Sequence, residues 1–204
     1  MSAAPPRPEP AAPRRALLVA DAAAARAALA GGARALVLGG PFPPHLVARL
    51  RTGRTDLAIY AALDGPDDPA LDALVALVPD GVLLRDARSG RDVAALGARL
   101  AVCEAERDRP DGSLSILAAI RHPRGLLDAA GFVGASPRLR GLGLDAPALA
   151  ALLGEGEALA QARGTIRIAA AAAGVAAFAW LAGEPGRRPD DAAALWGGFD
   201  FVVV

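Results

Sequence analysis

The 204-residue sequence contains no lysine, no asparagine, a single cysteine and only 4% aromatic residues. Without lysine there is no side-chain amine to form a Schiff base with a carbonyl substrate, which excludes lysine-dependent aldol chemistry. A lone Cys103 excludes an internal disulfide and a zinc-cysteine cluster, and a reducing cytoplasm is the compartment expected for such a chain. Charge of neither sign is in excess, because 22 basic residues, all arginine, balance 22 acidic ones. Net charge therefore points to no nucleic acid and no anionic membrane surface as a partner. No apolar run reaches the roughly 20 residues that span a bilayer, since Arg, Asp or Gly interrupts every one.

What is present is an Ala-, Leu- and Val-rich chain, 53% hydrophobic, long enough for one domain with a large core. Residues 1–15, "MSAAPPRPEPAAPRR", are rich in Pro and Ala without apolar periodicity and read as a disordered tail. From residue 16 to 204, short apolar runs alternate with helical patterns. The runs are 16–20, 35–40, 56–63, 81–86, 114–120, 139–145, 175–180 and 199–204. Most helical segments between them end near Gly or Pro, and several begin beside Asp, Ser or Pro.

Continuous apolar strands separated by helices predict a parallel sheet buried on both faces. Eight such strands fit a minimal (β/α)8 TIM barrel. The rival, a doubly wound open sheet, usually carries a Gly-rich phosphate fingerprint after its first strand; here that strand is followed by "DAAAAR". With the last strand at 199–204, the barrel is expected to lack its last helix. One face of "FDFVVV" would then be uncovered, with Phe199, Phe201 and Val203 alternating against Asp200, Val202 and Val204. An exposed apolar strip of that kind marks an interface, so a homo- or hetero-oligomer is expected.

Four stretches carry a family resemblance: "GARALVLGGPFPPHLVARL", "PDGVLLRDARSGRDVAAL", "ILAAIRHPRGLLDAAGFVGASPRLRGLGLDAPALAALLG" and "AAAAAGVAAFAW". In this order they resemble the HpcH/HpaI aldolase and citrate lyase β-subunit family, most closely over Leu114–Gly154, where "RGLL" and "ASPR" fall in register. The resemblance implies a (β/α)8 barrel, magnesium, and cleavage or formation of carbon–carbon bonds in acyl-CoA thioesters or hydroxy acids through an enolate-like intermediate. It also places the family's functional positions. The metal-binding glutamate falls on Arg121 and its threonine neighbour on His122. The second metal ligand, an aspartate, falls on Ala148, with Pro147 in place of the glutamate before it. The acidic motif after strand two falls on Gly39 to Phe42, a strand-three arginine near Tyr60, and the "LPK" after strand four on Leu84, Arg85 and Asp86. Each catalytic position among these has changed chemical class.

Magnesium takes oxygen ligands, commonly one or two carboxylates with water and substrate, whereas arginine side chains stay protonated in proteins and cannot ligate it. A guanidinium about 4 Å from a dication, at an effective dielectric near 20, costs roughly 8 kcal/mol before screening. The expectation is therefore no cofactor, the family's magnesium ligands being lost at Arg121 and Ala148. Barrel chemistry sits at the carboxyl ends of the strands, where the titratable residues are Asp21, Asp64, Arg85, Asp86, Arg121, His122, Asp145 and Glu184. Of these, Arg85, Asp86, Arg121, His122 and Asp145 form a candidate ligand-binding set. Asp145 also has the position of a helix N-cap, and Arg121 and His122 are placed to pair with Asp86 or Asp145 across the mouth.

Three functions stay open. The preferred one is a non-catalytic barrel acting as an interaction or regulatory subunit, with an active family member as one candidate partner. The second is a carbon–carbon lyase with a relocated site of His122, Asp145 and Asp86, histidine titrating near neutral pH. The third is a binder of an anionic metabolite through Arg85 and Arg121. Cys103 is expected on the buried face of its helix, His45 in solvent, and Trp180 and Trp196 as packing residues.

Overall fold

The apolar runs pair, each parallel to the next, and close on themselves. A computed structural model describes residues 14–40, 42–43, 45–54, 56–154, 156–181 and 198–204. Its strands are β1 (Arg14–Val19), β2 (Ala35–Leu38), β3 (Ala58–Leu63), β4 (Gly81–Leu84), β5 (Ser115–Ile120), β6 (Leu139–Asp145), β7 (Ala176–Trp180) and β8 (Phe201–Val203). They follow one another around a closed barrel in chain order, and β8 closes on β1 from Arg14↔Phe201 to Ala16↔Val203. The helices among the described residues are α1 (Ala22–Ala30), α2 (Leu46–Arg51), α3 (Leu71–Val75), α4 (Gly90–Ala105), α5 (Pro123–Leu127), α6 (Ala146–Leu153) and α7 (Glu157–Ala173). The closed barrel confirms the (β/α)8 reading over the open sheet.

Strand alternation divides the core in two. Outward residues such as Leu36, Leu38, Ile59, Val82, Ile120 and Leu144 pack with the helices in one large cluster. Inward residues, among them Val37, Leu83, Leu117, Phe178, Trp180 and Val203, fill the barrel interior. Followed around the barrel, the register sorts the inward residues into layers drawn from alternate strands: Ala16, Tyr60, Leu117 and Phe178; then Val37, Leu83, Gly143 and Val203; then Leu18, Ala62, Ala119 and Trp180. The glycines of "LRGLGLD" belong to this packing. Phe178 stacks on Phe201 with ring centroids 5.0 Å apart, and a Cβ at Gly143 would lie 2.6 Å from the Phe178 ring. β6 carries glycine there because the phenylalanine of its neighbour fills the space.

Two expectations need correction. First, β8 presents no uncovered apolar face: Phe199, Val202 and Val203 are all buried. Val202 turns outward into the main core cluster together with Leu181 and Phe199, and Val203 turns inward. The strip that motivated an interface is therefore packed. Second, β1 begins at Arg14, two residues inside the segment read as a tail; residues 1–13 lie outside the described residues. Between β6 and β7 the chain forms two helices, broken at Gly154 with φ 77°, a left-handed value that glycine adopts readily. The segments "PGRRPDD" and "PDDAAALWGG", with Glu184 and Trp196, lie outside the described residues apart from Gly198.

Candidate functional site

The inward parity of each strand continues one residue or more past its carboxyl end, and there the barrel turns from apolar to charged. Above the Trp180 layer come Gly39, Arg85 and Asp145 from β2, β4 and β6. Above these come Ala20, Asp64 and Arg121 from β1, β3 and β5. Four consecutive strands, β3 to β6, thus each deliver one inward-facing charge, in the order acid, base, base, acid.

The charges meet in two pairs. Arg85 donates from a terminal guanidinium nitrogen to Asp64 Oδ1 at 3.2 Å. Its guanidinium carbon also lies 5.2 Å from the centre of the Trp180 ring below, within cation–π range. Its Nε is buried without a hydrogen-bond partner. The Nε of Arg121 stands 3.9 Å from Asp145 Oδ2, close enough for Coulomb attraction but too far for a hydrogen bond. No described residue accepts a hydrogen bond from Arg121. The two partners differ in exposure, since the Arg121 side chain is 40% exposed and that of Asp145 only 7%.

Asp145 ends β6 and starts α6, and its Oδ1 accepts the backbone N–H of Ala148 at 3.0 Å. This is the N-cap geometry its place before "AP" predicts. The other candidates turn to local partners. His122 is exposed, and its Nδ1 accepts the Arg124 N–H at 3.1 Å as the N-cap of α5. Asp86 accepts two bonds from Arg88, at 3.0 and 2.8 Å, and keeps a buried Oδ1 without a partner. The structure therefore brings Arg121 to Asp145 and leaves His122 and Asp86 apart from them. Asp21 likewise serves its own helix, accepting from Ala23 and Ala24 at 2.7 and 2.8 Å. Asp64, read only as one of the acids at the mouth, is the partner that Arg85 finds across β3, and Trp180, read as packing, is also the platform beneath that arginine.

These residues do not fit a divalent cation. Among the described residues, the one buried carboxylate at the mouth, Asp145, has one oxygen on a backbone N–H and the other toward a guanidinium, and position 148 offers a methyl group. Among the described residues, no three His, Cys, Asp or Glu side chains gather closely enough to hold a metal. Nor is Cys103 a nucleophile in waiting. It is buried on α4 with its Sγ 3.4 Å from Asp72 Oδ1, and burial, then the Asp72 carboxylate, pushes the thiol pKa up, away from the reactive thiolate. His45 is exposed, as expected.

A second charged cluster, which sequence reading missed, lies at the opposite end of the barrel. Glu104, near the end of α4, is 1% exposed and Arg138, just before β6, is 7% exposed. The carboxylate accepts from the N–H of Leu114 at 2.6 Å and of Gly112 at 3.0 Å, from the Ser113 hydroxyl at 3.0 Å, and from Arg138 at 2.9 Å. Arg138 also bonds Asp111. Burial alone would raise the Glu104 pKa, but Arg138, the two backbone N–H groups and Ser113 together hold it down, from 4.5 to about 2. The signal was available: Val93, Leu96, Gly97, Leu100 and Glu104 fall on one buried helical stripe.

No family model matches the sequence, and no curated protein matches it. The fold, by contrast, is shared. The barrel is similar to an HpcH/HpaI aldolase from Desulfitobacterium hafniense DCB-2 with a TM-score of 0.73 at 13% identity, over 94% of this chain and 85% of that one. An HpcH/HpaI aldolase/citrate lyase family protein from Burkholderia cenocepacia J2315 matches with a TM-score of 0.71 at 16% identity, over 94% and 87%. A malate synthase from Haloferax volcanii matches with a TM-score of 0.69 at 14% identity, over 93% and 70%. At these identities the likeness is one of fold, and it is the fold that the sequence motifs implied.

Proposed function

We propose that this barrel, with the fold of the HpcH/HpaI aldolase and citrate lyase structures, is non-catalytic and acts as an interaction or regulatory subunit. The observation that carries the reading is the Arg121–Asp145 pair at 3.9 Å. It sets a permanent positive charge where the resemblance expects a metal-binding glutamate. Proteins similar in fold are named for aldolase, lyase and synthase activities; the magnesium chemistry that the resemblance implies needs carboxylates, and at the two positions where it places them this chain has Arg121 and Ala148. A relocated lyase site of His122, Asp145 and Asp86 has less support, because each of these side chains is engaged with a different neighbour.

With β8 packed, support for an interaction surface comes from elsewhere. Leu127 is 91%, Leu152 57% and Ile168 73% exposed, one large apolar side chain on each of the helices α5, α6 and α7. No helix among the described residues is long and apolar enough to cross a membrane. The proposed partner is a protein, either a second copy of this chain or an active barrel of the same fold.

The test joins two measurements on the purified full-length chain. Turnover of malyl- and citramalyl-type thioesters and of hydroxy acids is followed with and without magnesium, and native mass is measured for protein taken from its source. The expected result is no turnover and a defined assembly. Magnesium-dependent cleavage lost in Asp145→Asn, or a strictly monomeric species, would overturn the reading.

A further inference from the structure

We infer that the chain pairs with a second copy of itself through the face formed by α1, the β2–α2 loop and the β3–α3 loop. The inference rests on the reading of the barrel as an interaction subunit, and it names the surface and the occupant. Its starting point is a cleft of about 200 Å³ between α1 and α2, where Arg26, His45 and Arg49 stand over an apolar floor of Leu46 and Leu50. Among the described residues no acid lines it, and all three bases are exposed. Arg26 gives one bond, from Nε to the carbonyl of Ala22 in its own helix, at 3.1 Å. The side chains of His45 and Arg49 have no partner among the described residues. Neighbouring arginines are engaged: Arg51 meets Asp80 at 2.7 Å, and Arg54 reaches the carbonyls of Leu29 and Ala33.

A second cleft, of about 410 Å³, lies on the other side of the β2–α2 loop and carries Asp64 and Asp68. Phe42 lines this acidic cleft and Pro43 the basic one. Consecutive Cα atoms stand about 3.8 Å apart, so a single peptide divides the two. The β3–α3 loop that supplies the acids reads "DGPDD". Asp64 is matched by Arg85. Asp68 accepts the backbone N–H groups of Asp64 and Ala70 at 2.9 and 2.8 Å and faces no base, and Asp67 is exposed with no partner among the described residues. Two unmatched negative charges, Asp67 and Asp68, thus lie beside two unmatched positive ones, Arg26 and Arg49. A nucleic acid or an anionic membrane would be drawn to the bases and repelled by the acids. A face with both signs side by side complements itself. A two-fold axis at the dividing loop lays the basic cleft of each copy on the acidic cleft of the other, so every pairing forms twice. The outer side of α1 suits close approach, since its exposed Ala23, Ala24 and Ala27 have no side-chain rotamers to immobilise.

Sedimentation velocity and native mass on the purified full-length chain read the dimer. Raising the ionic strength from about 0.1 to 1 M shortens the screening length from about 10 to 3 Å and weakens the dimer at least about tenfold. Arg49→Glu sets an acid against the partner's acidic cleft, and Asp67→Arg sets a base against its basic cleft. Each reversal acts at both symmetric contacts and weakens self-association about 100-fold. An equal mixture of the two variants restores a heterodimer of near wild-type affinity, because the acidic face of one then meets the basic face of the other. That recovery also shows that both variants fold. The inference is overturned by a wild type that is monomeric on its own, by a dimer indifferent to salt or to either substitution, or by a mixture that stays monomeric. A wild type that is monomeric alone but assembles with another protein from its source, or a dimer that neither substitution touches, removes this interface and leaves the interaction reading standing.

Discussion

Replacing Glu104 with glutamine tests the energetics of the barrel's base. The carboxylate is 1% exposed, and its two oxygens accept from two backbone N–H groups, a hydroxyl and a guanidinium. Its pKa falls from 4.5 to about 2 in the folded chain, which is worth about 3 kcal/mol of preference for the ionised form in the native state. The sign follows from linkage. A carboxylate whose folded pKa is depressed contributes its full stability above the unfolded pKa, and that contribution is lost as pH falls through the folded value. The wild type should therefore lose about 3 kcal/mol from this group between about pH 5 and pH 2. In Glu104→Gln the amide turns N–H groups toward Arg138, whose remaining acid partner, Asp111, is largely exposed. Breaking one side of a buried pair costs about 3 to 5 kcal/mol, which for a chain of this length lowers Tm by about 6 to 20 °C. Urea unfolding at pH 7 and pH 3 reads both quantities. The expected gap between wild type and variant is wide at pH 7 and narrows toward acid. A variant within about 1 kcal/mol of wild type at pH 7, or a gap of equal size at both pH values, refutes the reasoning.

Other perturbations test separate parts of the structure. Gly143→Ala sets a Cβ 2.5 Å from the Phe178 carbonyl oxygen and 2.6 Å from its ring, and it should cost about 1 to 3 kcal/mol in urea unfolding; a neutral outcome would contradict the inward packing of Phe178. Cys103, buried and with a raised pKa, should be alkylated by iodoacetamide at least about tenfold more slowly in the native state than in urea, and equal rates by mass spectrometry would place it at the surface. Asp145→Ala removes the α6 cap and the partner of Arg121, for a loss of about 1 to 2 kcal/mol. Asp145→Asn keeps the cap and should retain most of that stability. Arg121→Glu puts a second carboxylate beside Asp145, so manganese should raise the Tm of that variant and leave wild type unchanged; an equal response of the two would show a metal seat that Arg121 does not block.

The barrel was legible because parallel strands covered on both faces need continuous apolar runs, and "ALVL", "GVLL" and "SILAAI" are such runs. Carboxyl-end residues were legible as a set for the same reason, since each follows a run directly. Their pairing was not. Asp64 meets Arg85, and Arg121 meets Asp145, only through the barrel's stagger, which shifts level by about one residue per strand and leaves no local trace in sequence. Coverage of β8 was misread because a strand was assumed to need the helix that follows it. Val202 instead joins the core cluster that contains Leu181 and Phe199. Glu104 was passed over because a glutamate in a charged stretch, "CEAERDR", looks like solvated surface, although its helical phase places it inside.

The two acid–arginine clusters also explain why the mouth rather than the base is the candidate site. At the base, Glu104 is saturated with donors, Arg138 is bonded to two acids and a carbonyl, and both are buried. Nothing there is left to offer a ligand, and the network contributes stability, as the amino-terminal face of such barrels does. At the mouth the same residue types are incompletely bonded. Arg121 approaches Asp145 without a hydrogen bond, and Arg85 keeps a buried Nε unpartnered. The exposed Arg85–Asp64 pair contributes about 0 to 1 kcal/mol to folding, whereas Asp145 also caps α6. Four strands that each deliver an inward charge, with a tryptophan beneath, make this end of the barrel the candidate site.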